Sequence, residues 1–132
     1  MTGLIWVVQI VIYPQFHDVG ENAFHAYHDE YMMRIGFVVL PLMLGEAALC
    51  GISIWLGWRS KARRQLLISG TLIAAVWAST FFIQAPIHVA LTISEDPQSL
   101  IDQLVSTNWI RTALWTLRTA LLARLVNRVL RT

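Results

Sequence analysis

The sequence predicts an all-α fold, an integral membrane four-helix bundle with both termini in the cytoplasm. Three observations carry that prediction. The chain has 132 residues, the size of one domain, and 56% of them are hydrophobic, with a mean hydropathy of +0.56 that is too apolar for a water-soluble fold. The apolar residues are gathered into windows near the roughly 20 residues that cross a bilayer. The basic residues are gathered at one end of those windows.

The first window, Gly3 to Tyr13, is apolar except for Gln9. It lacks the basic leader and small-residue cleavage site of a signal peptide, and is read as a span over 1–16 that is tilted or whose native start lies upstream. Ile35 to Gly57 holds a single charge, Glu46, and places the second span at 33–58. Leu66 to Ile83 holds none and places the third at 65–85. Trp109 to Val126 is interrupted by charge only at Arg111, Arg118 and Arg124, and places the fourth at 108–128. The whole chain, 1–132, is then a single membrane domain. Cys50 is the sole cysteine, so no disulfide forms within the chain, and its place inside a span makes it a small core residue.

Charge sets the expected orientation. Arg59, Lys61, Arg63 and Arg64 form a basic loop without an acid, and Arg124, Arg128 and Arg131 follow the last span. Apart from Glu46 the acids lie elsewhere, at Asp18, Glu21, Asp29 and Glu30, and at Glu95, Asp96 and Asp102. Basic residues in short loops stay cytoplasmic. The expected location is therefore the bacterial inner membrane, as a multi-pass protein with connections 14–34 and 85–108 outside. All four histidines, His17, His25, His28 and His88, follow them there. The expected partners are the lipid bilayer and other membrane subunits or further copies of the chain; nothing points to nucleic acid.

The outer connections carry helix signals. Asn22 is the expected cap of a helix that runs into the second span. An outer amphipathic helix is expected over about 96–106, with Asp96 as its cap and Pro97 in its first turn. Its face of Leu100, Ile101, Leu104 and Val105 would lie on the membrane surface. Pro41 is expected to bend the second span and free a carbonyl near the site.

Helical spacing then sorts the polar residues into one stripe per helix. Gln9 and Tyr13 are four apart, as are Gln84 and His88; Asn108, Arg111, Trp115 and Arg118 follow three-and-four spacing. His28 and Glu46 are eighteen apart, five whole turns, so they share a face but stand about 27 Å apart along it. Two layers result. In the lower one Glu46 and Arg118 reach similar depth from the same side, and an ion pair is expected, since an ionisable group in hydrocarbon demands a partner. In the upper one lie His25, His28, Gln84, His88, Asn108 and Arg111. The expected metal ligands there are His25, His28 and His88, because imidazole suits zinc, copper or iron; paired histidines could instead hold a haem. The same histidines could carry protons without a metal. Gln84, Asn108 and Trp115 are the expected cofactor contacts, and Glu46, Arg111 and Arg118 the expected catalytic groups, with Arg111 holding an anionic or carbonyl group. Trp77 and Trp115 are deep enough to wall an organic ligand, whereas Trp55, Trp58, Trp109 and Tyr31 read as interfacial anchors.

The motifs Tyr13-Pro-x-Phe16, Tyr27-His28 with Arg34-Ile35, Pro41-x-Met43-x-x-Glu46, Gln84-x-Pro86-x-His88 and Asn108-Trp-x-Arg111-Thr resemble a group of small, uncharacterised bacterial four-helix membrane proteins along nearly the whole chain. More distantly, Pro86, His88, Asn108 and Arg111 occupy places similar to those of the anthrone-oxygenase-like membrane proteins, while the first half departs from their pattern. That resemblance implies an oxygenase-like activity on flat phenolic substrates. Three functions are weighed from these residues: a small membrane oxidoreductase or oxygenase-like protein with an outward-facing His/Arg site, an accessory subunit of a larger membrane complex, and a small proton-coupled transporter that uses Glu46. The identity of any metal or haem is left open by the sequence.

Overall fold

A computed structural model describes residues 1–131, without the side chains of Glu21 and Val129. The described residues form four helices and no strand. Helix α1 starts as Thr2–Val7, widens into a π-helical segment Val8–Ile12, resumes at Tyr13–Gln15 and ends in a 3-10 turn, Phe16–Asp18. Helix α2 is Glu21–Leu56. Helix α3 runs from Arg63–Ser79 through a second π segment, Thr80–Gln84, to Ala85–Leu91. Helix α4 is Gln98–Leu130. Helix α4 packs on α3 and on α1, and α2 packs on α3, so a gap flanked by α1 and α2 is left on one side.

Two of the four expected spans, those within α2 and α3, are long and apolar enough to cross a membrane by length and composition. Helix α1 is short, and α4 carries Arg111, Arg118 and Arg124. The burial pattern departs from that of a water-soluble domain: polar side chains are buried beside the apolar core, and large apolar ones are exposed. Gln9, Gln84, Asn108, Arg111, Thr112 and Arg118 are buried, while Phe37 is 78% exposed, Trp55 76% and Phe82 80%. Large apolar side chains on that scale at the surface call for an apolar surrounding or a partner.

The best-packed region is the upper end. Phe16, Leu91, Ile101 and Leu104 have no exposed surface, and Phe24 has almost none. Phe16 is the hub, with its ring 5.0 Å from Tyr31, 5.7 Å from Tyr13, 5.9 Å from His28 and 6.1 Å from Phe24 between centroids. Edge-to-face contacts of this kind add to what burial of the rings already contributes. They fasten the end of α1 to the start of α2.

Several local expectations are corrected. The 96–106 segment is the first part of α4 rather than a separate surface helix, because no glycine or proline follows Pro97 to break it. Its Ile101 and Leu104 face inward into the core, so that face packs against protein. At α2 the cap position is Gly20, not Asn22, and the helix passes through Pro41 unbroken. Pro41 sits on the exposed face, so the carbonyl four residues before it, on exposed Phe37, is turned away from the interior. At the start of α4 the cap position is Pro97 rather than Asp96, although the Asp96 carboxylate accepts a hydrogen bond from the Gln98 amide at 3.2 Å.

Polar side chains tie α1 to α4. Gln9 Oε1 accepts from Asn108 Nδ2 at 2.9 Å and from the Thr112 hydroxyl at 3.4 Å, and Gln9 Nε2 donates to the Val105 carbonyl at 3.0 Å. Replacing Gln9→Leu strips all three partners at once. Each buried group left unpaired costs about 1–3 kcal/mol, so the variant is expected to melt well below wild type in mild detergent. An unchanged melting temperature would show that this network does not hold α1 in place.

Candidate functional site

The two π segments share a cause. Each precedes a proline, Pro14 or Pro86, whose ring has no N–H to donate and crowds the carbonyl four residues back. The chain answers with one wider turn: the Tyr13 amide reaches back to the Val8 carbonyl and the Ala85 amide to the Thr80 carbonyl, five residues away. Such turns re-aim the side chains around them and occur often at functional sites. Here they flank Gln9 and Tyr13 on α1, and Gln84 and His88 on α3, all four buried.

Tyr13, His88 and His28 form a continuous line. The Tyr13 hydroxyl lies 3.1 Å from His88 Nε2, and His88 Nδ1 lies 3.0 Å from His28 Nε2. The two imidazoles are stacked with centroids 5.3 Å apart, and Phe24 stacks on the far side of His28 at 5.7 Å. A neutral imidazole has one donor and one acceptor nitrogen, so the tautomer of one ring fixes that of the next. If Tyr13 donates to His88, then His88 donates to His28, and the remaining proton sits on His28 Nδ1, a buried atom with no partner among the described residues. In the reverse polarity every bond turns round, and the Tyr13 hydroxyl is released to donate elsewhere.

The Tyr13 end of this line opens on a cavity of about 220 Å³ in the gap flanked by α1 and α2. Its body is apolar, with Leu4, Val8, Ile35, Val39 and Trp77 among its walls. Its upper end is polar: Tyr13, Tyr31, Gln84, His88 and Arg111 line it. Gln84 Oε1 accepts from the Ser79 hydroxyl at 2.9 Å, which aims the amide, but Gln84 Nε2 has no partner. Nor has Arg111 Nε, although both residues are buried.

The lower layer lies apart from this end. Arg118 Nη1 donates to Glu46 Oε2 at 2.5 Å and Arg118 Nε donates to the Ser69 hydroxyl at 3.1 Å. The Met1 amino group stands 3.7 Å from the other Glu46 oxygen. Arg118 also lies over the Trp115 ring at 5.6 Å. Cys50 is buried, with its sulfur 3.9 Å from the same Ser69 hydroxyl.

The sequence-derived site is therefore divided. His28, His88, Gln84 and Arg111 gather at the upper end. His25 does not join them: its Nε2 is 3.0 Å from the Ser94 carbonyl at the surface. His17 is also turned outward, with Nδ1 2.6 Å from Gln98 Oε1 and Nε2 3.2 Å from the Asp102 carboxylate. Both fasten the outer connections rather than the interior. Among the described residues no group of three or more His, Cys, Asp or Glu side chains is placed to hold a metal ion. Asn108 supports Gln9 and Trp115 fills the core, and neither lines the cavity. Glu46 and Arg118 hold each other. Tyr13 and Tyr31 are the additions; the spacing of Gln9 to Tyr13 and of His28 to Tyr31 was the available signal.

No family model matches the chain, and comparison with curated proteins and with solved structures finds no match either.

Breaking the lower pair separates its structural role from any chemical one. Removing one member of a buried ion pair costs on the order of 3 kcal/mol, because the other charge stays behind unpaired; here Glu46 is 28% exposed, so the cost is smaller. Glu46→Gln is expected to lower the melting temperature, and Glu46→Gln with Arg118→Met to recover much of the loss. Equal stability of wild type and the single variant would remove the pair from the structural account.

Proposed function

We propose that this chain is a multi-pass protein of the bacterial inner membrane. It binds a lipid-dissolved organic molecule by an oxygen-bearing head group and takes a proton from that group. The observation that carries this reading is the line Tyr13–His88–His28, which begins at the polar end of an otherwise apolar cavity. Its apolar exterior and polar interior, together with two helices of spanning length, support the membrane placement. The basic 59–64 loop supports cytoplasmic termini.

The chemistry on offer is general acid–base catalysis. A proton leaves the head group for the Tyr13 oxygen as the Tyr13 proton passes to His88 Nε2. The proton on His88 Nδ1 passes to His28 Nε2, and the one on His28 Nδ1, which has no acceptor among the described residues, is handed to a water molecule that reaches that end. One proton enters and one leaves, each bond in the line is replaced by its counterpart, and no buried phenolate accumulates. Arg111 then faces the negative charge left on the ligand. A positioned acid–base group of this kind contributes about 10²–10⁴-fold to a rate.

This reading is better supported than a three-histidine metal or haem site, which would require His25 to leave Ser94 and the His28–His88 bond to open. It is also better supported than transport through Glu46, whose carboxylate is held by Arg118. It is compatible with the anthrone-oxygenase-like resemblance, two of whose four matching residues, His88 and Arg111, line the cavity.

A lipophilic nitrophenol tests it, since its ionised form is coloured. In liposomes containing the protein, binding is expected to ionise the probe. Tyr13→Phe, which keeps the ring and removes only the hydroxyl, should bind the probe but slow its ionisation by tenfold or more. Ionisation at the wild-type rate in Tyr13→Phe would rule out the relay.

A further inference from the structure

The polar end and the long axis of the cavity together specify its ligand more narrowly than an oxygen head group. The inference rests on the reading of this cavity as the binding site. The walls run from Met1 to Tyr13 on α1, from Tyr31 to Met43 on α2 and from Trp77 to His88 on α3. Each stretch is 12 or 13 residues, about 16–18 Å of helix. A space of about 220 Å³ drawn out over that length is a slot that suits one extended hydrocarbon chain. Gly36 helps to keep it open, since a Cβ placed there would meet no atom within 4 Å. The rim carries Met32 and Leu40 on α2 and Phe81 on α3, all exposed apolar residues, so a molecule dissolved in the bilayer can enter sideways without crossing water.

The upper end supplies donors and a charge. Gln84 Nε2 and Arg111 Nε are both buried and both without a partner, and their residues line the slot. None of the ion pairs among the described residues includes Arg111. A buried guanidinium without a counter-charge is costly, and a buried donor without an acceptor adds to that cost. One anionic group with two acceptor oxygens removes both penalties. An alcohol or a simple ketone provides an acceptor but leaves the charge uncompensated.

We propose that the slot binds a single-chain fatty acid: the tail lies between α1 and α2, and the carboxylate is received by Arg111 and Gln84 below the Tyr13–His88 hydrogen bond. The acid arrives in its neutral form, the form that dissolves in the bilayer. At the site the O–H bond of the carboxylic acid breaks, its proton enters the line at Tyr13, and an equal proton leaves from His28. The products are a carboxylate paired with Arg111 and a proton passed toward the outer side.

The test uses the whole protein in zwitterionic lipid nanodiscs, with dodecanoic acid, dodecanol and the lipophilic nitrophenol as probes. Trp77 emission reports occupancy, with Trp77→Phe as the control. Wild type is expected to bind the acid at least tenfold more tightly than the alcohol. Arg111→Gln should remove that preference, Arg111→Lys should keep most of it, and Gly36→Leu should weaken all three probes by filling the slot. Equal affinity for acid and alcohol in wild type, or an acid preference that survives Arg111→Gln, overturns the proposal. If the nitrophenol binds as tightly as the acid and still ionises, the carboxylate assignment falls while the slot and its relay stand. If Gly36→Leu changes nothing for any probe, the slot itself is not the site and the inference falls with it.

Discussion

Every polar side chain buried in this helical assembly must find its partner inside it, and that constraint decides how the helices meet. Apolar contact alone is a weak guide where both neighbours and surroundings are apolar. The specific contacts are polar ones: Gln9 to Asn108 and Thr112 join α1 and α4, Arg118 to Glu46 and Ser69 joins α4 to α2 and α3, and His28 to His88 to Tyr13 joins α2, α3 and α1. The aromatic cluster around Phe16 then holds the upper end at a fixed spacing. In a membrane, where water cannot take up an orphaned donor, the same bonds would have no competitor.

Against that background the exceptions carry the proposed function. Most of the interior is paired, but Gln84 Nε2, Arg111 Nε and His28 Nδ1 are not. The first two belong to residues lining one end of the cavity, and the third is the far end of the proton line that starts there. Three further unpaired atoms, the indole N–H of Trp115, Oδ1 of Asn108 and Oε1 of Gln65, belong to residues that do not line the cavity, and the structure gives no physical account of them. Unsatisfied donors at the head of an apolar slot are a standing preference for an acceptor-bearing ligand.

The architecture was legible because it depends on periodicity and depth. Four helices follow from four apolar windows, and the Glu46–Arg118 pair follows from counting residues down two helices that enter from the same side. The separation of His28 from Glu46 follows from the same rise per residue. What was not legible depends on direction around a helix. His25 and His28 are three apart and were grouped, yet one reaches a surface carbonyl and the other the core. Tyr13 reads as a stripe residue and Tyr31 as an anchor; a π segment set by a proline fixes which way Tyr13 turns, while Tyr31 reaches the cavity from α2, which has none. The start of α4 departs from expectation for a simpler reason. Its polarity changes near Asn108, but its backbone chemistry does not, and helices end where the backbone must.

The central claim is the buried, neutral hydrogen-bonded line from Tyr13 through His88 to His28. Solid-state nitrogen NMR of histidine-labelled protein in bilayers reads it directly. The account predicts a coupling across the hydrogen bond between His28 Nε2 and His88 Nδ1, with both rings neutral. Two uncoupled imidazoles would contradict it.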